Sequence, residues 1–462
     1  MDVQVSSKLS IADIPPDVVH RVVEISLLTH LPEPIGSRAD AIKFFSSVPP
    51  YNFALTCRNW RNTVLSSDSL WSSLSLSLDL PDDEVWNAMK WKIDKHLAKA
   101  RNIPLTLFLR LSRRHNDRFL KAREVIAFLH SRRLMWKRVV LDVEAPIIFR
   151  FALGIKDLQL LEEIRVGSSV MVATANSGLP SLKCLELVGL PSSYTMDWLP
   201  ISPNLRELSF LNIPLSYASF WESHSARSSN ARSFSFLRTL RITRAEEPSP
   251  PARESHLASF VACLLNSITS HALTVLDLYL YSLDSHQALF NFLCRCSPPL
   301  EALGLDVHFV VQGDEIEREE LLIHALLCVP SVRKLRYRGD LDGMVVPEVL
   351  VRALSFAGDE SNPPLLPELE HLELVNVAAE LPLFFKMVKV RHPPKTRTLK
   401  SMSLLGCFAK APGMMSNVRE ELGTFEPGDD VTQLPASLSA LGKFVSAGLE
   451  LKMKQISDTG EL

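Results

Sequence analysis

Leu179-Pro180-Ser181-Leu182-Lys183-Cys184-Leu185-Glu186-Leu187 is the stretch whose reading decides the fold. Leu185 and Leu187 alternate with polar neighbours, as on a strand with one buried face, and Leu182 marks the chain entering that strand. Pro180 and Ser181 end whatever precedes it. The same apolar spacing, LxxLxL with tolerated substitutes, recurs at Trp136/Val139/Leu141, Leu161/Ile164/Val166, Leu205/Leu208/Phe210, Leu237/Leu240/Ile242 and Leu273/Leu276/Leu278. It continues at Leu300/Leu303/Leu305, Val332/Leu335/Tyr337, Leu369/Leu372/Leu374 and Leu399/Met402/Leu404, at intervals of about 21 to 37 residues. Ser202-Pro203-Asn204, Pro298-Pro299 and Val329-Pro330-Ser331 punctuate other copies in the same way. The pattern predicts a row of short strands, each reached through a helix or loop on the other side.

This periodicity resembles an irregular leucine-rich-repeat solenoid. Helices are expected between strands at 255–270, 285–296, 317–328, 347–357 and 382–390, and exposed loops at 223–233 and 245–255. A final amphipathic helix over 435–456, with Leu438, Leu441, Val445, Leu449 and Met453 on one face, is expected to cap the row. Side-chain alternation sends the residues between the leucines to the opposite, concave face: Glu186, Arg241, Asp277, Tyr279, Tyr281, Asp306, His308, Lys334, Arg336, Arg338, His371 and Glu373. Tyr279, Tyr281, His308, Lys334, Arg336 and Arg338 are the candidate client-binding residues, because Tyr and Arg anchor interfaces and the basic row suits an acidic or phosphorylated peptide. For any single one of them a solvated strand face is the commoner explanation.

Working outward to the N-terminal side, residues 14–74 form a second pattern. Ile14-Pro15-Pro16-Asp17-Val18-Val19 predicts a helix start, with proline where no amide donor is needed and a carboxylate where the helix dipole favours one. Val18, Val22, Ile25 and Leu28 then share a face, while Val19, Val23 and Leu27 are apolar on others. A second helix is expected over 52–64 through Phe53, Cys57, Trp60 and Val64, followed by a turn carrying Leu70 and Trp71. On periodicity alone, an ordinary helical hairpin at the end of a larger domain is the favoured reading.

The blocks Ile14-Pro15 through Val22, Leu55-Thr56-Cys57-Arg58-Asn59-Trp60-Arg61 and Asp68-Ser69-Leu70-Trp71 resemble, in order, those of an F-box. Ile14 stands where the family usually has Leu, and the spacer 30–51, rich in proline, is longer than usual and reads as an inserted loop. The resemblance implies binding to the Skp adaptor of a cullin-RING ubiquitin ligase. Ile14, Pro15, Val18, Val19, Val22, Leu55 and Cys57 would make that contact, and Trp60, Leu70 and Trp71 would form the module's core. A strand at 74–78, a helix over 82–100 and Pro104-Leu105-Thr106-Leu107 continue an arrangement similar to many fungal F-box proteins, as far as Leu111. A further helix is expected over 117–131.

The expected organisation is therefore α/β: a disordered 1–10, an F-box-like helical module 11–75, a linker with first solenoid units 76–135, irregular leucine-rich repeats 136–410, and a C-terminal loop with capping helix 411–462. With 462 residues and a formal net charge of −2, whole-molecule attraction to nucleic acid or anionic membrane is not expected. The 7 cysteines are scattered without a CxxC pair, the start lacks an apolar signal-peptide core, and no apolar run reaches the roughly 20 residues of a membrane span, so a cytoplasmic or nuclear location is expected. No GxSxG, HExxH, GxxxxGK[ST] or GxGxxG occurs. Cys294 and Cys296, near His286 and His308, lack the second pair that a zinc site needs. No cofactor, metal or catalytic residue is assigned. The leading expectation is a substrate-recognition adaptor of a Skp-cullin-F-box ligase, with the repeats holding a protein client. A repeat scaffold acting outside ubiquitination is the alternative, and an enzyme with an unrecognised site is a third.

Overall fold

The computed structural model describes residues 10–29, 49–77, 83–111, 124, 127–129, 131, 135–143, 149–151, 158–167, 170–172, 179–188, 202–213, 232–244, 254–307, 315–339, 348–358, 364–377, 381–392, 398–405, 424–425 and 439–454. The chain divides into two units, Met1–Ser202 and Pro203–Leu462. Each is mixed α/β and built on parallel strands.

In the first unit Ser10 caps a short 3-10 turn, Ile11–Asp13, and helix α1 follows over Pro16–Thr29 with Pro16 at its first position. The helix expected over 52–64 is two, α2 (Tyr51–Ala54) and α3 (Arg58–Ser66), because Cys57 is extended (φ −156°, ψ 174°) and starts α3 as its N-cap. The break lets Phe53 stack on Trp60, ring centroids 5.5 Å apart. A 3-10 turn, Asp68–Trp71, leads into strand β1 (Ser73–Ser77), helix α4 (Asp83–Ala100), and strands β2 (Leu105–Leu111), β3 (Trp136–Val143), β4 (Glu163–Gly167) and β5 (Cys184–Val188). These strands pair in chain order, all parallel, so that Leu76, Leu109, Leu141, Val166 and Leu187 form one buried row. Of the helix expected over 117–131, residues 124, 127–129 and 131 are described; 124 and 127–129 are helical and Ser131 is in a turn.

The second unit repeats one step. Strands β6 (Glu207–Ile213), β7 (Thr239–Arg244), β8 (Val275–Leu280), β9 (Ala302–Val307), β10 (Lys334–Arg338), β11 (His371–Val375) and β12 (Ser401–Leu405) are parallel neighbours in chain order. From β7 onward, helices carry the chain back: α5 (Glu254–Ser267), α6 (Leu283–Cys296), α7 (Glu315–Leu327), α8 (Glu348–Leu354) and α9 (Leu381–Arg391). Register places Leu208, Leu240, Leu276, Leu303, Leu335, Leu372 and Met402 in one row, each at most 2% exposed. All ten LxxLxL triplets are buried. At roughly 1.5–3 kcal/mol per buried side chain, these rows are the principal source of cohesion.

A backbone staircase runs beside the rows. The amide just before a strand reaches the preceding copy: Arg333 N donates to Glu301 O (2.9 Å), Glu370 N to Arg333 O (2.8 Å) and Lys400 N to Glu370 O (2.7 Å); at the last step Glu450, the first residue of the final parallel strand, donates to Lys400 O (3.0 Å). Arg391, only 4% exposed, ties helix ends to the turn before β11. Its Nε donates to Leu354 O (2.8 Å), Nη1 to Leu366 O (2.9 Å) and Nη2 to Leu365 O. Burial lowers its pKa to about 10.

The C-terminal segment corrects the expectation of a long capping helix. Helix α10 spans only Ser439–Ser446, and strand β14 (Glu450–Lys454) then adds one more parallel strand beside β12. Gly448 makes the turn in the left-handed region, φ 102°, which side chains disfavour. A two-residue strand, β13 (Thr424–Phe425), pairs antiparallel with β14. No helix among the described residues is long and apolar enough to cross a membrane.

Candidate functional site

Helix α1 carries two adjacent apolar stripes. At about 100° per residue, Val19, Val23 and Leu27 fall on one side, and Val18, Val22 and Ile25 on the next. The first stripe is core: Val19 and Val23 are 0% exposed and Leu27 9%. The second is open, with Val18 at 44%, Val22 at 39% and Ile25 at 47%. Val19, expected among the docking residues, is therefore corrected to a packing residue. α1 lies against α3 and the 3-10 turn before β1, and its inward stripe is what they cover. His20 Nε2 and Ser69 Oγ, 3.1 Å apart, join that turn to α1.

The other expected docking residues differ in exposure. Pro15 is exposed, Ile14 and Cys57 are half-buried, and Leu55, at the end of α2, is 60% exposed. Ile11 is also exposed, and its backbone is held from below the turn: Trp60 Nε1 donates to Ile11 O at 3.0 Å, and Asn59 Nδ2 to Ala12 O at 3.0 Å. Trp60, Leu70 and Trp71 are buried. Trp71 Nε1 donates to Val64 O at 2.9 Å, and Tyr51 meets the ring edge-on, centroids 4.9 Å apart. Lys99 Nζ of α4 stands 3.8 Å above the same ring. Burial, then Lys95, lowers the Lys99 pKa. The module is thereby held to α4, and among the described residues Val18 and Val22 of the outer stripe of α1 stay exposed. The inserted loop 30–51 lies outside the described residues except for 49–51.

The second surface is the outward strand face of the second unit. Lys334 and Arg336 are exposed and Arg338 half-buried. Arg336 Nη2 is 3.6 Å from Asp277 Oδ1, and Arg241 Nε is 3.5 Å from Asp277 Oδ2. The Arg336–Asp277 pair crosses β9 at Gly304, where an added Cβ would lie 1.8 Å from Asp277 Oδ1. Glycine at that one position is what lets the two strands exchange charge. Register sets Arg336 beside Glu373 and Arg338 beside Asp306, so acidic neighbours balance the basic row.

Tyr279 and Tyr281 were expected on this open face, and both are buried, at 0% and 6% exposure, with rings stacked at 6.4 Å. Alternation stops at Leu278: residues 279–281 are all enclosed as the chain turns into α6, where Tyr281 N donates to Ser285 Oγ. They are corrected to core. His308 lies outside the described residues. Among the described residues no cluster of three or more His, Cys, Asp or Glu could hold a metal ion. Cys296 is buried and accepts from Ser270 N at 3.4 Å.

No protein-family model matches the chain, and no curated protein matches it significantly.

Proposed function

We propose that this chain is the substrate-recognition adaptor of a Skp-cullin-F-box ubiquitin ligase: an F-box holds the Skp adaptor and leucine-rich repeats hold a protein client. The observation that carries the reading is the outer stripe of α1. Val18, Val22 and Ile25 stand open on a helix whose inner stripe is already packed, within a block order that resembles an F-box. Pro15 and Leu55 add exposed apolar surface to the same module. The client surface is the strand face bearing Lys334, Arg336 and Arg338. The chain performs no chemistry of its own in this role; it raises the effective concentration of client near the ubiquitin-transferring partners.

The test is co-purification with the Skp adaptor of the wild-type chain and of a Val18→Asp, Val22→Asp variant whose fold is checked by circular dichroism. Each buried valine contributes roughly 1.5 kcal/mol and a buried unpaired carboxylate costs several, so the folded variant loses the complex. Absence of a complex with wild type refutes the adaptor reading and leaves a repeat scaffold acting outside ubiquitination.

A further inference from the structure

We propose that Cys294 and Cys328 form a peroxide-sensitive dithiol that closes to an intramolecular disulfide between α6 and the turn after α7. Their sulfurs are 3.0 Å apart, inside van der Waals contact and about 1 Å from bonding distance. Cys294 is exposed near the end of α6, and Cys328 is half-buried one residue beyond α7. The pairing is selective. Cys296, two residues along the same helix, is buried and engaged by the Ser270 amide. Cys328 is held in place, its thiol donating to the His324 carbonyl at 3.3 Å.

Access and environment assign the roles. Cys294 meets the oxidant: its thiol gives up its proton, the thiolate attacks one oxygen of hydrogen peroxide, the O–O bond breaks to leave a sulfenic acid and hydroxide, and the hydroxide takes up the released proton as one water. Cys328 then attacks that sulfur, the S–O bond breaks, the S–S bond forms, and the second water leaves with the Cys328 proton. Two thiols and one peroxide give one disulfide and two waters. Burial pushes the Cys328 thiol up to about 12, and the hydrogen bond and charge of Cys294 push in the same direction. Oxidation of Cys294 to an uncharged sulfenic acid removes its charge, so the first step readies the second. A small-molecule thiol in excess reverses the bridge by exchange. The bridge encloses β9, with Gly304 under the Asp277–Arg336 pair, in a covalent loop between two helices.

The experiment treats the full-length chain with one equivalent of hydrogen peroxide, blocks remaining thiols with iodoacetamide, and maps the digest by mass spectrometry. The expected result is a linked peptide pair containing Cys294 and Cys328, lost on dithiothreitol treatment. With Cys328→Ser, Cys294 is trapped by dimedone; with Cys294→Ser, Cys328 stays alkylatable, its oxidation slowed at least tenfold. Unfolding in urea before peroxide abolishes the preference for this pair. Alkylation of both cysteines after peroxide at the level of the untreated chain overturns the proposal, as does a bridge from either one to any other cysteine or to a second chain.

Discussion

Val22 and Val23 are neighbours in sequence and opposites in energetic role. Val23 is 0% exposed, and truncating it to alanine removes about two methylene equivalents of burial and leaves a small void, together about 2.5 kcal/mol. Alanine returns about 0.5 kcal/mol as the better helix former, for a net loss of about 2 kcal/mol. At Val22, 39% exposed, the burial lost and the propensity gained nearly cancel, leaving a change within about 0.5 kcal/mol. Hydrogen–deuterium exchange of the peptide covering α1 reads this directly: amides that exchange by opening of the module speed up about 30-fold in Val23→Ala and no more than about twofold in Val22→Ala. Equal acceleration in the two variants, or a larger one at Val22, would refute the assignment of inner and outer stripes. It would also remove the physical basis for an outward docking face.

Arg391→Met leaves three carbonyls of the α8 end and the β11 turn without their donor, and a loss of about 2–4 kcal/mol is expected as a lower urea midpoint. Arg391→Lys does not restore it, since one ammonium lacks the fork that reaches all three; a midpoint shift worth under about 1 kcal/mol would contradict the clasp. Acid acts through two buried imidazoles. Burial lowers His96 and His286 from 6.5 to about 4, with Ser73 and Ser282 carbonyls accepting from their rings. Between those values the unfolded chain binds protons that the native state excludes. Stability present at neutral pH therefore falls as pH drops through 6.5 toward 4, by roughly 3 kcal/mol per histidine at most. Denaturant titrations at pH 7.5, 5.5 and 4.5 measure it, and His96→Gln flattens the slope of the first unit.

The strand rows were legible because burial on one face leaves a mark every second residue, and Leu182, Leu185 and Leu187 carry it without interruption. The last copy was hidden because Gly448 stands where Leu399 and Leu369 stand in earlier copies, so helical spacing through Val445 and Leu449 looked continuous. Val19 was misplaced for a different reason. Val18-Val19 and Val22-Val23 are doublets, each satisfying the same period one residue out of phase, and only the position of α3 decides which valine faces in. Tyr279 follows the alternation of Asp277, yet its enclosure depends on the turn into α6. The meeting of Cys294 and Cys328 leaves no local trace, since it joins residues 34 apart on successive helices.

The staircase of amides that joins successive copies also carries a code. Glu301, Arg333, Glu370 and Lys400 occupy four successive steps, acid and base in alternation, with Lys400 Nζ 2.7 Å from the Glu370 carboxylate; the steps before them, Arg206, Arg238 and Thr274, do not alternate. Excising the copy that holds Glu370 would seat Arg333 next to Lys400, like charge against like, whereas excising the Arg333 and Glu370 copies together would seat Glu301 next to Lys400. Within these four steps the copies are thus not interchangeable modules: neighbours are matched, and removing two together brings less conflict than removing one.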